Sequence, residues 1–410
     1  MMPKLQLGVF FGSRSCEHEV SIISAVQMMQ NADKEKYDVI PVYISTKGIW
    51  YTGEKLKDIA SYTPFNENAA GIEQVTLDLT PGSGALVAYR QSKGLFGGMK
   101  QEVVARLDCA CLVFHGMHGE DGTLQGLLEM ANIPYTSPGV ASSAIGMDKI
   151  LMKQFFRGAD LPVLPSQWYS AYQWQENAAE VTDAIEKELG YPVFVKPANL
   201  GSSIGVSRAD NREKLAEALE LAFSYDRRVL VEKGLDKPIE LNCAVMGYDG
   251  RCRASVLEMP NTGGDFLSFA DKYLNGAGST KGMAALARLV PAPIEDSLRD
   301  EIQELSKRIF TLMDCKGVVR IDYMFDSATQ KVYITEINTI PGSLAFYLWE
   351  AGGMSYREAI DEMVKFAMAA HKDKNRNSYA FESNILKNVK LGGKAGGKMG
   401  GKLAGSKLGK

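Results

Sequence analysis

Hydrophobic positions along the chain fall into short apolar runs separated by stretches with helical spacing. "KLQLGVFFGSRSCEHEVSIISAVQMMQNA" reads as a buried strand, a Gly-Ser turn and an amphipathic helix. "YDVIPVYIS" is a second strand, and "LDCACLVFHGMHGEDGTLQGLLEMANIPYTS" repeats strand, glycine loop, helix and strand. Strands alternating with helices predict a parallel α/β sheet over residues 1–148. A helix opening near Asp148 ("MDKILMKQFFRGA") begins a second unit, with strands "YPVFVKPA" and "RVLVEKGL" and a helix between Ala178 and Gly190. From about Pro238 the strands lengthen: "IELNCAVMG", "CRASVLEMP", "ALARLVPAPI", "GVVRIDYMFD" and "KVYITEIN". They predict a mixed or antiparallel sheet, closed by the helices "SLRDEIQELSKRIFTLM" and "SYREAIDEMVKFAMAAH".

Two of these strands carry polar residues on one face. Arg320 and Asp322 are two apart in "VVRIDYMFD", as are Glu336 and Asn338 in "KVYITEIN", and side chains alternate along a strand. If the two strands pair, Asp322, Glu336 and Asn338 converge as hard oxygen donors, the kind Mg²⁺ takes at nucleotide sites. The same alternation fits the solvated face of an antiparallel sheet. Three further segments suggest phosphate binding. In "VFVKPANLGSSIGVS", Lys196 ends a strand and Gly201 to Gly205 can present N–H groups and hydroxyls to an anion. It matches neither a P-loop nor a dinucleotide fingerprint. "VLVEKGL" breaks at Glu232-Lys233-Gly234-Leu235, where extended backbone could meet an adenine edge. "HGEDGTLQG" places Glu120 and Asp121 in a glycine-bracketed turn. Taken singly, these read equally as a turn, a strand end and a helix N-cap.

Composition changes the picture only at the margins. With 45% hydrophobic and 23% charged residues over 410 positions, the chain is that of a soluble globular protein with two or three domains. No apolar run is long enough to span a membrane, and the first residues lead straight into a strand, so no signal peptide is expected. Six cysteines without CxxC spacing read as reduced thiols of a cytoplasmic protein. A net charge of −3 gives no basis for a nucleic-acid partner. The charge is uneven, because residues 372–410 carry ten Lys or Arg against two acids. Lys390, Lys394, Lys398 and Lys402 are separated by glycines that oppose helix formation. That segment reads as a disordered solvated tail, or as a contact for an anionic surface or polyanion.

Taken in order, the segments are far more specific than any one of them. From Leu7 to about Met368 the chain resembles the D-alanine–D-alanine ligase family of ATP-grasp enzymes. The resemblance rests on "FFGSRSCEHEVS", "HGMHGEDGTLQG", "PYTSPGVASSAIGMDK", "VKPANLGSSIGVS", "VEKGLDKPIE", "DKY", "VRIDYMF" and "EINTIPG". It implies a three-domain ATP-grasp fold, α/β with an α+β C-terminal part, and an N-terminal parallel Rossmann-like sheet. ATP would lie between the central and C-terminal sheets. The domains would be 1–148, 149–237 and 238–371, with 372–410 as the basic tail.

By position, the resemblance implies that Lys149 and Lys196 contact ATP phosphates, while Glu232, Lys233 and Leu235 hold adenine. Glu240 would take the ribose hydroxyls. Gly201, Ser202 and Ser203 would close over the phosphates, and Lys272 would reach the γ-phosphate from a lid, "NTGGDFLSFADKYLNGAGST". Asp322, Glu336 and Asn338 would ligate two Mg²⁺, with Mn²⁺ an alternative. Glu17 would grip the ammonium of the first D-alanine, beside Ser202 and Tyr273, with His115 near the substrates. Arg320 and the Gly342 N–H would steady the tetrahedral intermediate, and Ser343-Leu344 would bind the second substrate's carboxylate. The implied protein is a cytoplasmic homodimer that makes D-alanyl-D-alanine for peptidoglycan precursors.

That inventory suits the chemistry. A carboxylate is a poor acyl donor, so ATP converts it to an acyl phosphate, which the second amine then attacks. The protein supplies positioning, charge neutralisation and exclusion of water. Two departures concern the second substrate. The stretch "GSLAFYLWEAGG" after "NTIPG" is shorter than the family's, and "FLSFADKY" lacks the family's lid tyrosine and acid. The tyrosine directly after Lys272 goes with D-alanine as second partner in the resembled family. D-lactate or D-serine as second substrate stays open, as does a nucleotide-binding protein without ligase activity.

Overall fold

The computed structural model describes residues 3–91, 98–260 and 288–380. Lys272, Tyr273, the expected lid and residues 381–410 of the tail lie outside them. Met1–Lys372 forms one compact unit and Asp373–Lys410 a second.

The first sheet is built from β1 (Leu5–Gly12), β2 (Tyr37–Ile44), β3 (Trp50–Thr52), β4 (Glu73–Leu77), β5 (Ala85–Gln91), β6 (Met99–Arg106) and β7 (Cys109–Val113). Helix α1 (His18–Asn31) connects β1 to β2. Strand order is β6-β5-β4-β3-β2-β1-β7. The expected parallel arrangement is present in β2-β1-β7, but β3 to β6 extend it as an antiparallel meander. The reason is local: Ser45–Ile49 between β2 and β3 is far too short for a parallel crossover, which needs a dozen or more residues.

Helices α2 (Thr123–Met130), α3 (Val140–Met147) and α4 (Lys149–Gly158) follow. Asp148 starts α4 as expected, its carboxylate accepting the Ile150 and Leu151 N–H groups at 3.0 Å each. The second sheet contains β8 (Ser166–Ser170), β9 (Val193–Pro197), β10 (Ser207–Ala209) and β11 (Arg228–Lys233), in order β10-β9-β11-β8 and antiparallel. Helices α5 (Ala171–Glu188) and α6 (Arg212–Tyr225) pack on it. Helix α5 is kinked at non-helical Asn177 (φ −152°), whose side chain accepts the Glu180 N–H at 3.3 Å, so its long part begins at the expected Ala178. A short helical stretch started by the Ser170–Gln173 capping box precedes it.

The third sheet, β14-β13-β12-β15-β16, is antiparallel throughout. Its strands are β12 (Ile239–Tyr248), β13 (Arg251–Pro260), β14 (Arg288–Leu289), β15 (Gly317–Asp326) and β16 (Lys331–Asn338), with α7 (Asp296–Leu312) against them. After β16 come α8 (Phe346–Ala351) and α9 (Tyr356–Lys374). Leu344, Leu348, Trp349 and Ile360 from this last stretch share one apolar core with Phe10, Phe11 and Leu112 of the first sheet. The chain after β16 is therefore held against α1 and β1. Of the cysteines, all free, Cys109, Cys111, Cys243 and Cys315 are buried and Cys16 is exposed. Among the described residues, no helix is long and apolar enough to cross a membrane.

Candidate active site

The β15–β16 pairing sets Asp322 opposite Glu336 and Arg320 opposite Asn338. Directly paired residues share a face, so the four side chains lie together as the alternation implied. The row continues inward, because Asp322 pairs with Asn242 on β12, and Asn242 with Glu258 on β13. Asp322 accepts a two-pronged contact from Arg320, with Nε and one terminal nitrogen each at 2.7 Å, and a third bond from Asn338 at 3.0 Å. Burial pushes the Asp322 carboxyl above its ordinary range against the pull of Arg320, and Glu336 and Glu258 add to the push. Crowded carboxylates of this kind are relieved by a cation. Among the described residues no three His, Cys, Asp or Glu side chains gather as a metal cluster. The donor set is thus two carboxylates and the Asn338 carboxamide, which fits an ion such as Mg²⁺ that retains water and phosphate ligands.

Lys149 stands at the start of α4 between two sheets. Its Nζ donates to the Leu200 carbonyl at 2.5 Å and lies 3.7 Å from Glu336 Oε2. Lys196 on β9 donates to Glu232 Oε2 on β11 at 2.6 Å. The other Glu232 oxygen meets Lys153, which sequence reasoning missed. Lys153 is 2% exposed and also donates to the Ile334 carbonyl of β16 at 3.0 Å. Its signal was present: Lys149 and Lys153 are one helical turn apart and so share a face of α4. Burial opposes all three charges. For Glu232 the two lysines overcome it and hold the carboxyl low; for Lys196 Glu232 overcomes it; for Lys153 burial wins and the pKa falls.

Part of the backbone of residues 232–235, expected to hold adenine, is bonded to its neighbours. The N–H groups of Lys233 and Gly234 already donate to the carbonyls of Pro165 (2.9 Å) and Pro192 (2.8 Å). The Lys233 ammonium donates to the Tyr191 carbonyl at 3.0 Å, and the Glu232 side chain faces the lysines. The Lys233 and Gly234 N–H groups are thus taken by neighbouring backbone, which leaves the carbonyls of the segment and Leu235 to meet a nucleobase edge. Glu240 stands at the start of β12, close enough to act electrostatically on Lys196.

The Gly201–Gly205 loop bends through left-handed Ser202 (φ 51°), Ser203 (φ 60°) and Gly205 (φ 70°). Ser202 donates its hydroxyl to Glu17, which is buried just before α1. Bare glycine backbone lies on two sides of that carboxylate: a Cβ on Gly116 or on Gly201 would sit 2.7 Å from Glu17 Oε2. Glycine is required at both positions for this close approach.

His115 sits behind the site. Its Nε2 lies 2.9 Å from Ser24 Oγ, and its ring also engages the Ile340 backbone. Burial lowers its pKa to about 4, so the ring is neutral near pH 7. Ser24 Oγ in turn accepts the Ser343 N–H at 3.2 Å. Gly342 opens a turn in which Ser343, Leu344 and Ala345 are all left-handed, with φ of 49°, 55° and 52°. For residues with a Cβ this costs about 1–2 kcal/mol each. Ser343 Oγ is buried and finds no hydrogen-bond partner among the described residues.

Glu120 accepts the N–H groups of Gly116 (2.8 Å) and Ile340 (3.0 Å), tying the end of β16 to the glycine loop. Burial first, and Glu17 second, raise its pKa to about 8. A raised carboxyl stabilises the fold below its unfolded pKa and loses that contribution as pH rises through its folded value. Stability is therefore expected to decline between about pH 5 and about pH 8, by on the order of a few kcal/mol, and Glu120→Gln should flatten the decline. Thermal midpoints across that range check it; parallel profiles for the two proteins would remove Glu120 as the cause.

Residues 6–138 match the family model described as D-ala D-ala ligase N-terminus, and residues 155–365 the one described as D-ala D-ala ligase C-terminus. A curated D-alanine–D-alanine ligase of Thermosipho melanesiensis is 38% identical over 388 residues, 95% of this chain and 99% of that one. One from Caldicellulosiruptor bescii is 38% identical over 392 residues, 93% of this chain and all of that one. Among solved structures, the D-alanine-D-alanine ligase from Coxiella burnetii superposes with a TM-score of 0.73 at 26% identity, covering 91% of this chain and 96% of that one. A D-Ala:D-Ser ligase from Enterococcus faecalis gives 0.72 at 27% identity, covering 89% and 100%. Sheet arrangement, site geometry and both family models agree: the chain belongs to the D-alanine–D-alanine ligase family.

Proposed function

We propose that this protein joins two D-alanines at the expense of ATP, through a D-alanyl phosphate. The observation that carries the reading is Lys149, which reaches both the glycine-loop segment and Glu336 of the carboxylate row. Phosphates bridging those two groups would meet Lys149, Lys196 and the loop from Gly201 together. Asp322, Glu336 and Asn338 would hold Mg²⁺ or Mn²⁺, two ions in our reading, which supply charge neutralisation to the transferred phosphoryl group. Glu17 takes the first ammonium and aims that substrate's carboxylate at the γ-phosphorus, so an O–P bond forms as ADP leaves. The second amine then attacks the acyl carbon, Arg320 and the Gly342 N–H hold the oxyanion, and the C–O bond to phosphate breaks. Ser343 Oγ, buried with a free hydrogen-bonding capacity, is the anchor for the second carboxylate. The three sheets support domains at 1–148, 149–237 and 238–371. A cytoplasmic homodimer and an anionic-surface contact by the Lys-rich tail complete the reading.

A second reading, D-serine as acceptor, is favoured by the likeness to the Enterococcus faecalis D-Ala:D-Ser ligase. Phosphate release with D-alanine alone, and with D-alanine plus D-serine or D-lactate, separates them when products are identified by mass. D-Alanyl-D-alanine is expected to predominate near neutral pH. Predominant D-alanyl-D-serine or D-alanyl-D-lactate would reassign the acceptor, and no release with any amino acid would leave a nucleotide-binding protein.

A further inference from the structure

Beside the carboxylate row lies a second buried polar cluster for which the mechanism has no use. Glu258 on β13 is 3% exposed and its carboxylate is fully engaged. Oε1 accepts from Tyr347 OH and from Asn242 Nδ2, each at 2.8 Å, and Oε2 accepts from Arg288 Nη1 at 2.9 Å. The Arg288 guanidinium also lies over the Tyr347 ring, 4.1 Å from its centre. Three donors on one carboxylate, two of them joined by a cation–π contact, make a rigid assembly, since buried charge-assisted bonds tolerate little displacement.

Its two ends lead to functional places. Asn242 is the strand neighbour of both Glu258 and Asp322, so one end abuts the Asp322–Glu336 row. Tyr347 is in the first turn of α8, directly after the three left-handed residues that present Ser343. Strained backbone persists only where its surroundings over-determine it. On one side of the turn the Ser24 hydroxyl takes the Ser343 N–H; on the other, Tyr347 fixes α8 to the sheet.

We propose that the Tyr347–Glu258–Arg288 cluster is a positioning device for the acceptor amino acid, holding the Ser343 turn in register with Arg320. The proposal rests on the ligase reading above and names three positioning residues for it. Loss of the Tyr347 bond lets the turn relax, which misplaces the acceptor's carboxylate and leaves the nucleotide and the first D-alanine untouched.

Hydroxylamine separates the two half-reactions, because it attacks D-alanyl phosphate without needing the acceptor subsite and yields the hydroxamate and phosphate. Tyr347→Phe and Glu258→Leu are expected to raise the acceptor KM for D-alanine about tenfold or more, the scale of a modest misplacement. In Tyr347→Phe, hydroxamate formation and the KM for ATP should stay within about twofold, since Glu258, Asn242 and the carboxylate row are left in place. Glu258→Gln keeps the oxygen that Tyr347 and Asn242 use but loses the buried Arg288 ion pair, so its acceptor KM is expected to fall between the parent and Glu258→Leu. Parallel loss of hydroxamate and dipeptide in Tyr347→Phe would reduce the cluster to general stability and overturn the proposal, as would an unchanged acceptor KM. Should Glu258→Leu not fold, Tyr347→Phe alone still decides it. An unmutated protein that forms no hydroxamate would overturn the ligase reading itself, an outcome distinct from any difference among the variants.

Discussion

Glu336→Gln should lower turnover by at least about a hundredfold while leaving the fold intact, the scale of losing one charge that stabilises a transferring phosphoryl group. Glutamine keeps the shape of the side chain and one oxygen donor, so the change isolates charge. Glu336 is about one-third exposed and lies opposite Asp322, whose carboxyl it pushes upward. Its neutralisation therefore removes a repulsion from the folded state and should not lower the thermal midpoint. The 3.7 Å contact with Lys149 is partly solvated and contributes little to stability. Turnover measured at limiting and saturating Mg²⁺ tests the assignment: the deficit should be larger at limiting metal. Near-normal turnover at limiting Mg²⁺ would remove Glu336 from the metal set.

Lys153→Met should cost about 3–5 kcal/mol of stability, the range for removing one partner of a buried ion pair. Methionine fills much of the same volume, so the loss is electrostatic. Glu232 would keep Lys196 alone, and the Ile334 carbonyl would lose its donor. The acid limb gives a second readout. The depressed Glu232 carboxyl contributes stability above its unfolded pKa and loses it as pH falls through the folded value. With one lysine gone the depression shrinks, so the variant should begin to lose this contribution at higher pH than the parent. Lys196 loses its fixed geometry too, which should raise the KM for ATP. Urea unfolding at neutral and acid pH checks the first two expectations. A variant as stable as the parent would show that burial cancels what the triad gains.

The two-residue alternation in "VVRIDYMFD" and "KVYITEIN" determined the carboxylate row without any structure. Strand periodicity fixes which side chains share a face, and hairpin pairing did the rest. The start of α4 at Asp148 was equally local, since an N-cap needs only its own next three residues. The antiparallel β3–β6 extension was local in cause too, though β3 and β4, with three and five residues, gave little pattern to read. What the tertiary structure decided were contacts between residues far apart in the chain. Lys153 reads as an ordinary helical lysine until α4 is set against Glu232 and the Ile334 carbonyl. The Lys233 and Gly234 N–H groups of "VEKGL" read as free until Pro165 and Pro192 arrive beside them. Glu258 and Tyr347 have no motif of their own, and the glycine-bracketed turn that displays Glu120 does not display its distant partner Ile340. Periodicity and capping are properties of neighbouring residues, so a sequence displays them. Burial of a charge, and the partner that makes burial tolerable, exist only once distant segments have packed.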